Sequence, residues 1–261
     1  MGKYISRFII CFGLGTTAVV LSACLGFSTP MPTLPPPTSP PPPETATPTI
    51  VWFPPTATST LVPTQAITPT VDVRPNIGAV IFEDDFTTPE IWDLAVSESG
   101  SVALGLKEIT LAISQPNIYL YTLRDNPTLT DFYVEITASP SICWGDDEYG
   151  LLFRVTPALD FYRFSLSCNG SVRLDKYIAG KASSPFPKTL SGAVPPGAPS
   201  SSRLSIWAKG KEMHFFINGE FQFTINDPSI PEGVIGLFAR SSKNSAITVS
   251  FSELTIREVT P

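Results

Sequence analysis

The chain has 261 residues, 43% of them hydrophobic, with 17 basic and 23 acidic side chains, a single histidine and 28 prolines. A net charge of −6 argues against a nucleic-acid partner, because phosphate binding needs the opposite sign. One histidine, His214, removes a multi-histidine zinc site and speaks against a histidine-based triad.

Lys3 and Arg7 form a positive leader, and Phe8 through Val20 is an apolar run interrupted only by small or weakly polar residues. That is the layout of a secretory signal. Residues Leu21-Ser22-Ala23-Cys24 follow it and resemble the lipobox of bacterial lipoproteins. The resemblance implies cleavage after residue 23, with Cys24 taking a diacylglyceryl thioether as the new N-terminus. A spanning helix is the weaker reading, because about 17 to 25 apolar residues are needed to cross a bilayer and this run ends in polar, proline-rich sequence. Two acyl groups, at ~0.8 kcal/mol per buried methylene, anchor a protein stably without a spanning segment. The expected location is extracytoplasmic, on a membrane surface.

Residues 24–75 are dominated by Pro, Thr and Ser, with Pro35-Pro36-Pro37 and Pro40 to Pro43 the densest runs. Such a stretch buries no core and favours extended polyproline II conformation. At ~3.1 Å per residue its roughly fifty residues reach about 150 Å, which makes it a stalk rather than a docking motif for a proline-reading domain. Trp52 and Phe53 are the aromatic exceptions within it.

The remaining residues, 76–261, hold 14 basic and 21 acidic side chains and suit one domain with a substantial core. Runs rich in Val, Ile, Phe, Tyr and Thr recur at 132–138, 150–155, 161–168, 203–208, 213–217 and 246–251, separated by Asn126-Pro127, Asn169-Gly170, Lys209-Gly210, Asn218-Gly219 and Asp227-Pro228. No helix beyond a turn or two is evident. This spacing predicts an all-β jelly-roll sandwich of two antiparallel sheets. Alternation puts Leu204, Ile206 and Ala208 on one face and Ser205 and Trp207 on the other. It likewise separates Tyr162, Phe164, Leu166 and Cys168 from Phe161, Arg163, Ser165 and Ser167. Asn218-Gly219 signals a type I′ hairpin turn, with Ile217 and Glu220 sharing a face.

The succession Phe82-Glu83-Asp84-Asp85-Phe86, Tyr149 to Arg154, Phe161 to Phe164, Arg203 to Trp207, Phe216 to Glu220 and Gly233 to Phe238 resembles concanavalin A-like lectin/glucanase domains. Within that group it is similar to the laminin-G-like and 3-keto-disaccharide hydrolase-like jelly rolls of bacterial surface proteins. The resemblance implies the fold and leaves the activity open. Glucanases of the group share a Glu-x-Asp-x-x-Glu strand that aligns acid and nucleophile, and no such run exists here. No catalytic residue is therefore assigned, although carboxylates from separate strands remain a route to hydrolysis.

Glu83-Asp84-Asp85 and Asp146-Asp147-Glu148 raise a calcium site, with Asp84, Asp146 and Asp147 as candidate ligands. Neither has the spacing of a complete calcium loop, and solvated turns are the plainer reading. With Cys11 removed with the signal and Cys24 lipidated, Cys143 and Cys168 remain to pair in an oxidising compartment. Asn169-Gly170-Ser171 reads as a turn. For binding, Arg154, Arg163, Arg173, Tyr177 and Trp207 would offer guanidinium donors and rings to a glycan if they project onto a concave sheet. Trp207 packed beneath a loop such as 182–202 is the competing expectation. Three functions stay open: a noncatalytic carbohydrate- or matrix-binding module, a sugar hydrolase, and a structural or protein-interaction module.

Labelling cells that express the chain with radioactive palmitate should mark it, and Cys24→Ser should remove the label. A labelled Cys24→Ser protein would contradict the lipobox reading.

Overall fold

The computed structural model describes residues 73–243 and 246–260. The chain divides between Gln65 and Ala66, and every described residue belongs to the second unit. The signal segment, Cys24 and the stalk as far as residue 72 lie outside the described residues.

Among the described residues there are fifteen strands: β1 (Ile77–Asp84), β2 (Ala95–Val96), β3 (Gly100–Leu104), β4 (Glu108–Ile113), β5 (Tyr119–Leu123), β6 (Phe132–Ile142), β7 (Glu148–Val155), β8 (Phe161–Ser167), β9 (Ser171–Ile178), β10 (Lys181–Leu190), β11 (Ser202–Lys209), β12 (Glu212–Ile217), β13 (Glu220–Asn226), β14 (Val234–Arg240) and β15 (Ile247–Val259). The helical piece among them is a 3-10 turn at Pro89–Ile91, and none is long and apolar enough to cross a membrane. All pairings are antiparallel. One sheet runs β13-β12-β11-β6-β15-β4-β3-β2 with β1 also on β15, and the other runs β10-β9-β8-β7-β14-β5. This is a jelly-roll sandwich, as the strand pattern predicts.

β15 organises the nine-stranded sheet because it is long enough to serve three neighbours. It pairs with β6 on one side and with β4 and then β1 on the other. Its inward residues alternate Ile247, Val249, Phe251, then slip to Leu254 and Ile256. The slip falls at Glu253, whose φ of 56° marks a bulge. Facing this sheet, β8 presents Tyr162, Phe164 and Leu166 and β7 presents Leu151 and Phe153. Rings from both sheets interlock between them: Phe164 lies 5.0 Å from Phe215, and Phe215 lies 4.5 Å from Phe223. The hairpin turn has Asn218 at φ 53° and Gly219 at φ 80°, with Ile217 opposite Glu220.

Residues 182–190 form an edge strand rather than a loop. Pro185 and Pro187 interrupt its ladder, which an edge tolerates because the missing N–H groups face no partner. Phe186 still turns inward and stacks on Phe223 at 3.8 Å, so the edges of the two sheets are joined by rings. Just ahead of β1, residues 73–75 lie on the outer face of the nine-stranded sheet. Trp207 Nε1 donates to Pro75 O at 2.9 Å, and the His214 ring bonds Val73 O.

Cys143, after β6, and Cys168, after β8, form a disulfide with Cα atoms 5.8 Å apart. Closing a separation of 25 residues should stabilise the fold by about 3 kcal/mol on the loop-entropy model. Cys143→Ser with Cys168→Ser should lower urea stability by that order, and alkylation before reduction should find neither thiol; a doubly substituted protein of unchanged stability would contradict this.

Candidate functional site

The outer face of the six-stranded sheet holds the candidate site. Because Tyr162, Phe164 and Leu166 point inward, strand geometry turns Phe161, Arg163, Ser165 and Ser167 outward. Register lines these up in rows across the sheet. One row runs Leu123, Gly236, Leu152, Arg163, Asp175; the next runs Tyr121, Phe238, Gly150, Ser165, Arg173; the third runs Tyr119, Arg240, Glu148, Ser167. Gly150 sits at the centre with φ 153°, where a Cβ would meet Phe164 O at 2.1 Å and the Phe238 ring at 3.4 Å. Its missing Cβ lets the β7 and β8 backbones approach closely under the Phe238 ring.

Arg163, one row away, lies among three rings. Its guanidinium lies 5.6 Å from the Tyr119 ring centre, 5.1 Å from Tyr177 and 5.4 Å from Phe238, within cation–π range. It also pairs with Asp175 at 2.6 Å. Burial works against the charge of Arg163, but the hydrogen bond it donates to Asp175 and the surrounding partners hold its pKa above the ordinary value. Burial pushes the Tyr119 hydroxyl pKa upward, with Arg163 in partial opposition. The pairing continues outward: Arg173 bridges Asp175 at 2.9 Å and Glu148 at 3.1 Å, and Arg240 reaches Glu148 at 3.1 Å.

Three depressions adjoin along this face. A cavity of about 400 Å³ is lined by Tyr119, Phe161, Arg163, Tyr177 and Arg240. Tyr119 and Phe161 also wall a smaller apolar hollow with Tyr121, Leu152 and Leu159. Arg240 leads into a polar depression of about 610 Å³ that includes Asp146, Glu148, Arg173, Lys188 and Lys243. Phe161 and Tyr177 stack at 4.7 Å across their strand pair, which stiffens one wall. Arg163 Nε is buried without a hydrogen-bond partner, as is Ser165 Oγ.

Of the residues proposed from sequence for glycan contact, Arg163, Arg173 and Tyr177 come together here. Arg154 and Trp207 do not. A register shift between β14 and β7 and a φ of 51° at Arg154 re-aim its side chain. It is fully buried and donates to the carbonyls of Ile230, Thr130 and Gly210 at 3.1, 2.9 and 2.9 Å. Trp207 belongs to the other sheet and is only 3% exposed. It is covered by residues 73–75 rather than by residues 182–202.

The three aspartates suggested as calcium ligands are also placed otherwise. Asp84 accepts from Phe86 N, Trp92 Nε1 and Arg124 Nε. Asp147 is buried and accepts from Trp144 N and Ser242 N. Asp146 is exposed on Lys188 and Asn169, and the Lys188 hydrogen bond is the main reason its pKa lies below the usual carboxylate value. Among the described residues the one cluster with metal-ligand geometry is Cys143, Asp147 and Cys168, and its sulfurs are joined in the disulfide, so they supply no thiolate.

Sequence reasoning missed Tyr119, Tyr121, Phe238, Arg240, Glu148, Asp175 and Lys188. The alternation Tyr119, Tyr121, Leu123 against Leu120 and Thr122 was a usable signal for two of them.

No protein-family model and no curated protein matches the chain. Solved structures do. A carbohydrate-binding module, CBM66, from Bacillus subtilis matches with TM-score 0.52 and 17% identity, over 64% of this chain and 96% of that one. The Bacillus licheniformis β-glucanase matches at 0.52 and 12%, over 70% and 99%. The catalytic domain of an endo-1,3-β-glucanase from Thermotoga petrophila matches at 0.51 and 9%, over 70% and 98%. The chain therefore has the jelly-roll fold that these carbohydrate-binding and glucanase domains share.

Arg154→Ala would leave the buried Ile230 carbonyl without its donor, at about 1 to 3 kcal/mol, would remove the bonds to the part-buried Thr130 and Gly210 carbonyls, and would empty the volume of a fully buried side chain, at about 2 kcal/mol or more. Urea denaturation should show a loss of roughly 3 kcal/mol or more, against under about 1 kcal/mol for the half-exposed Arg240→Gln. Equal losses would contradict the structural role given to Arg154.

Proposed function

We propose that the chain is a lipid-anchored, extracytoplasmic protein whose jelly roll binds carbohydrate across the outer face of its six-stranded sheet without hydrolysing it. The observation that carries this is the cavity of about 400 Å³ walled by Tyr119, Phe161 and Tyr177, with Arg163 in its lining and one buried N–H of that arginine unpartnered. A sugar ring offers an apolar C–H face and a rim of hydroxyls. Tyrosine rings complement the face, and guanidinium N–H groups complement the rim. The volume falls within the usual range for small-ligand sites, about 300 to 1,000 Å³.

Glu148 and Asp175 are unsuited to turnover. A glycosidase needs one carboxyl free to give a proton and a second free to attack or to activate water. Here Arg173 and Arg240 share Glu148, while Arg163, Arg173 and the Ser184 hydroxyl occupy Asp175. Both carboxylates are committed to holding arginines in place. The carbohydrate-binding and glucanase structures that share the fold favour a sugar ligand in general, and the chemistry of the cleft supports it in particular. Display on the surface rests on the lipobox at Leu21 to Cys24 and the proline-rich stretch behind it.

The test is a glycan array probed with the full chain in detergent, followed by titration of any glycan retained. Tyr177→Ala should weaken binding by about tenfold, the worth of one ring contact. Trp207→Phe, on the opposite sheet, should leave it within about twofold, and no new reducing ends should form. Binding that survives Tyr177→Ala but depends on Trp207 would overturn the assignment of the face, and release of reducing ends would overturn the noncatalytic reading.

A further inference from the structure

The polar depression beside the aromatic cavity differs in charge from the rest of the domain. Its lining carries four cations, Arg173, Lys188, Arg240 and Lys243, against two carboxylates, Asp146 and Glu148. The chain as a whole carries −6. At physiological salt the Debye length is about 8 Å, so a ligand there responds to the local excess rather than to acidic residues elsewhere. The two carboxylates reduce that excess without cancelling it, since two cations remain in surplus. Glu148 lies beneath two arginines with its side chain 3% exposed, and Asp146 is paired with Lys188 at 2.6 Å. Arg240 links the two spaces, since it lines both the aromatic cavity and the cationic depression. Its side chain is 47% exposed, and a single one of its N–H groups is committed, to Glu148.

We infer that the sugar taken by this face carries an anionic substituent, a carboxylate or a sulfate ester, seated against Arg240, Lys188 and Lys243 while a ring lies against Tyr119 and Tyr177. The inference rests on the carbohydrate-binding reading and names the class of ligand within it. A neutral glycan would leave the cationic end facing water. A ring with an acidic group instead matches both halves of the groove, apolar and aromatic at one end and cationic at the other. Guanidinium is suited to either anion because its planar fork matches two oxygens at once.

The experiment uses the full chain in detergent and three oligomers of equal length: oligogalacturonate, the same oligomer with its carboxyls reduced to neutral galactose, and a sulfated oligogalactan. At least one charged oligomer should bind about tenfold or more tighter than the neutral one, and raising NaCl from 0.05 to 0.5 M should erase most of that advantage. Comparison of oligogalacturonate with the sulfated oligomer separates the two sources of anion. The K188Q/K243Q variant should weaken the charged oligomer by about fivefold to tenfold, on the scale of two partly exposed charges. Neutral oligomer binding as tight as charged, with dependence on Tyr177, would overturn this inference and leave the carbohydrate reading standing. Failure of both charged oligomers to bind would overturn it as well. If no glycan on the array is retained either, the carbohydrate reading falls with it.

Discussion

Arg163, Asp175, Arg173, Glu148 and Arg240 form one unbroken series of ion pairs across β8, β9, β7 and β14, with spacings of 2.6 to 3.1 Å. The shape and the charge of the outer face both depend on it. Desolvating ions is costly, and buried pairs of this kind add little net stability compared with apolar residues of the same size. Three arginines held by two carboxylates are therefore poorly explained as a stabilising device. They make sense as a scaffold for donors: the carboxylates fix each guanidinium in one orientation, so a ligand meets a rigid array and little side-chain entropy is lost on binding.

The two outer faces of the sandwich are unequal, and this decides which one is available. On the nine-stranded sheet, residues 73–75 lie over Trp207 and His214, Arg74 approaches the Phe216 ring to 5.2 Å, and Tyr133, Phe216 and Val259 complete a small apolar cluster with Val73 and Ile77. The end of the proline-rich stretch is thus used as packing for its own domain. On the six-stranded sheet Tyr119, Tyr121 and Arg240 keep substantial exposure above the arginine series. Trp207, one of the residues offered from sequence for glycan contact, is covered, and Tyr119 and Tyr121 form the open wall.

Much of the fold was legible because strand alternation is local. Tyr162, Phe164 and Leu166 face inward and Arg163 and Ser165 outward, as period two requires, and Asn218-Gly219 makes the expected hairpin. The site was only half legible because its remaining parts are set by partners distant in sequence. Trp207 and Arg163 both alternate outward, yet strand pairing puts them on different sheets, and nothing in either segment encodes that. Arg154 obeys the alternation in sequence and breaks it in space, since a register shift and a positive φ turn it toward three carbonyls. Residues 182–190 looked like a loop because prolines are rare in strands, and they form a strand because they lie at an edge. Arg240 and Glu148 had no reason to be linked until β14 and β7 were seen to be neighbours.

On the function proposed above, the outer face of the six-stranded sheet, and not its counterpart, receives the ligand. Hydrogen–deuterium exchange of the full chain with and without a bound oligosaccharide addresses it directly, because amides beneath a ligand exchange more slowly. Slowed exchange should concentrate at Tyr119–Leu123, Phe161–Ser167, Ser171–Ile178 and the Arg240 end of β14. Slowing confined to β11 and β12 around Trp207, with those four segments unchanged, would place the ligand on the nine-stranded sheet instead.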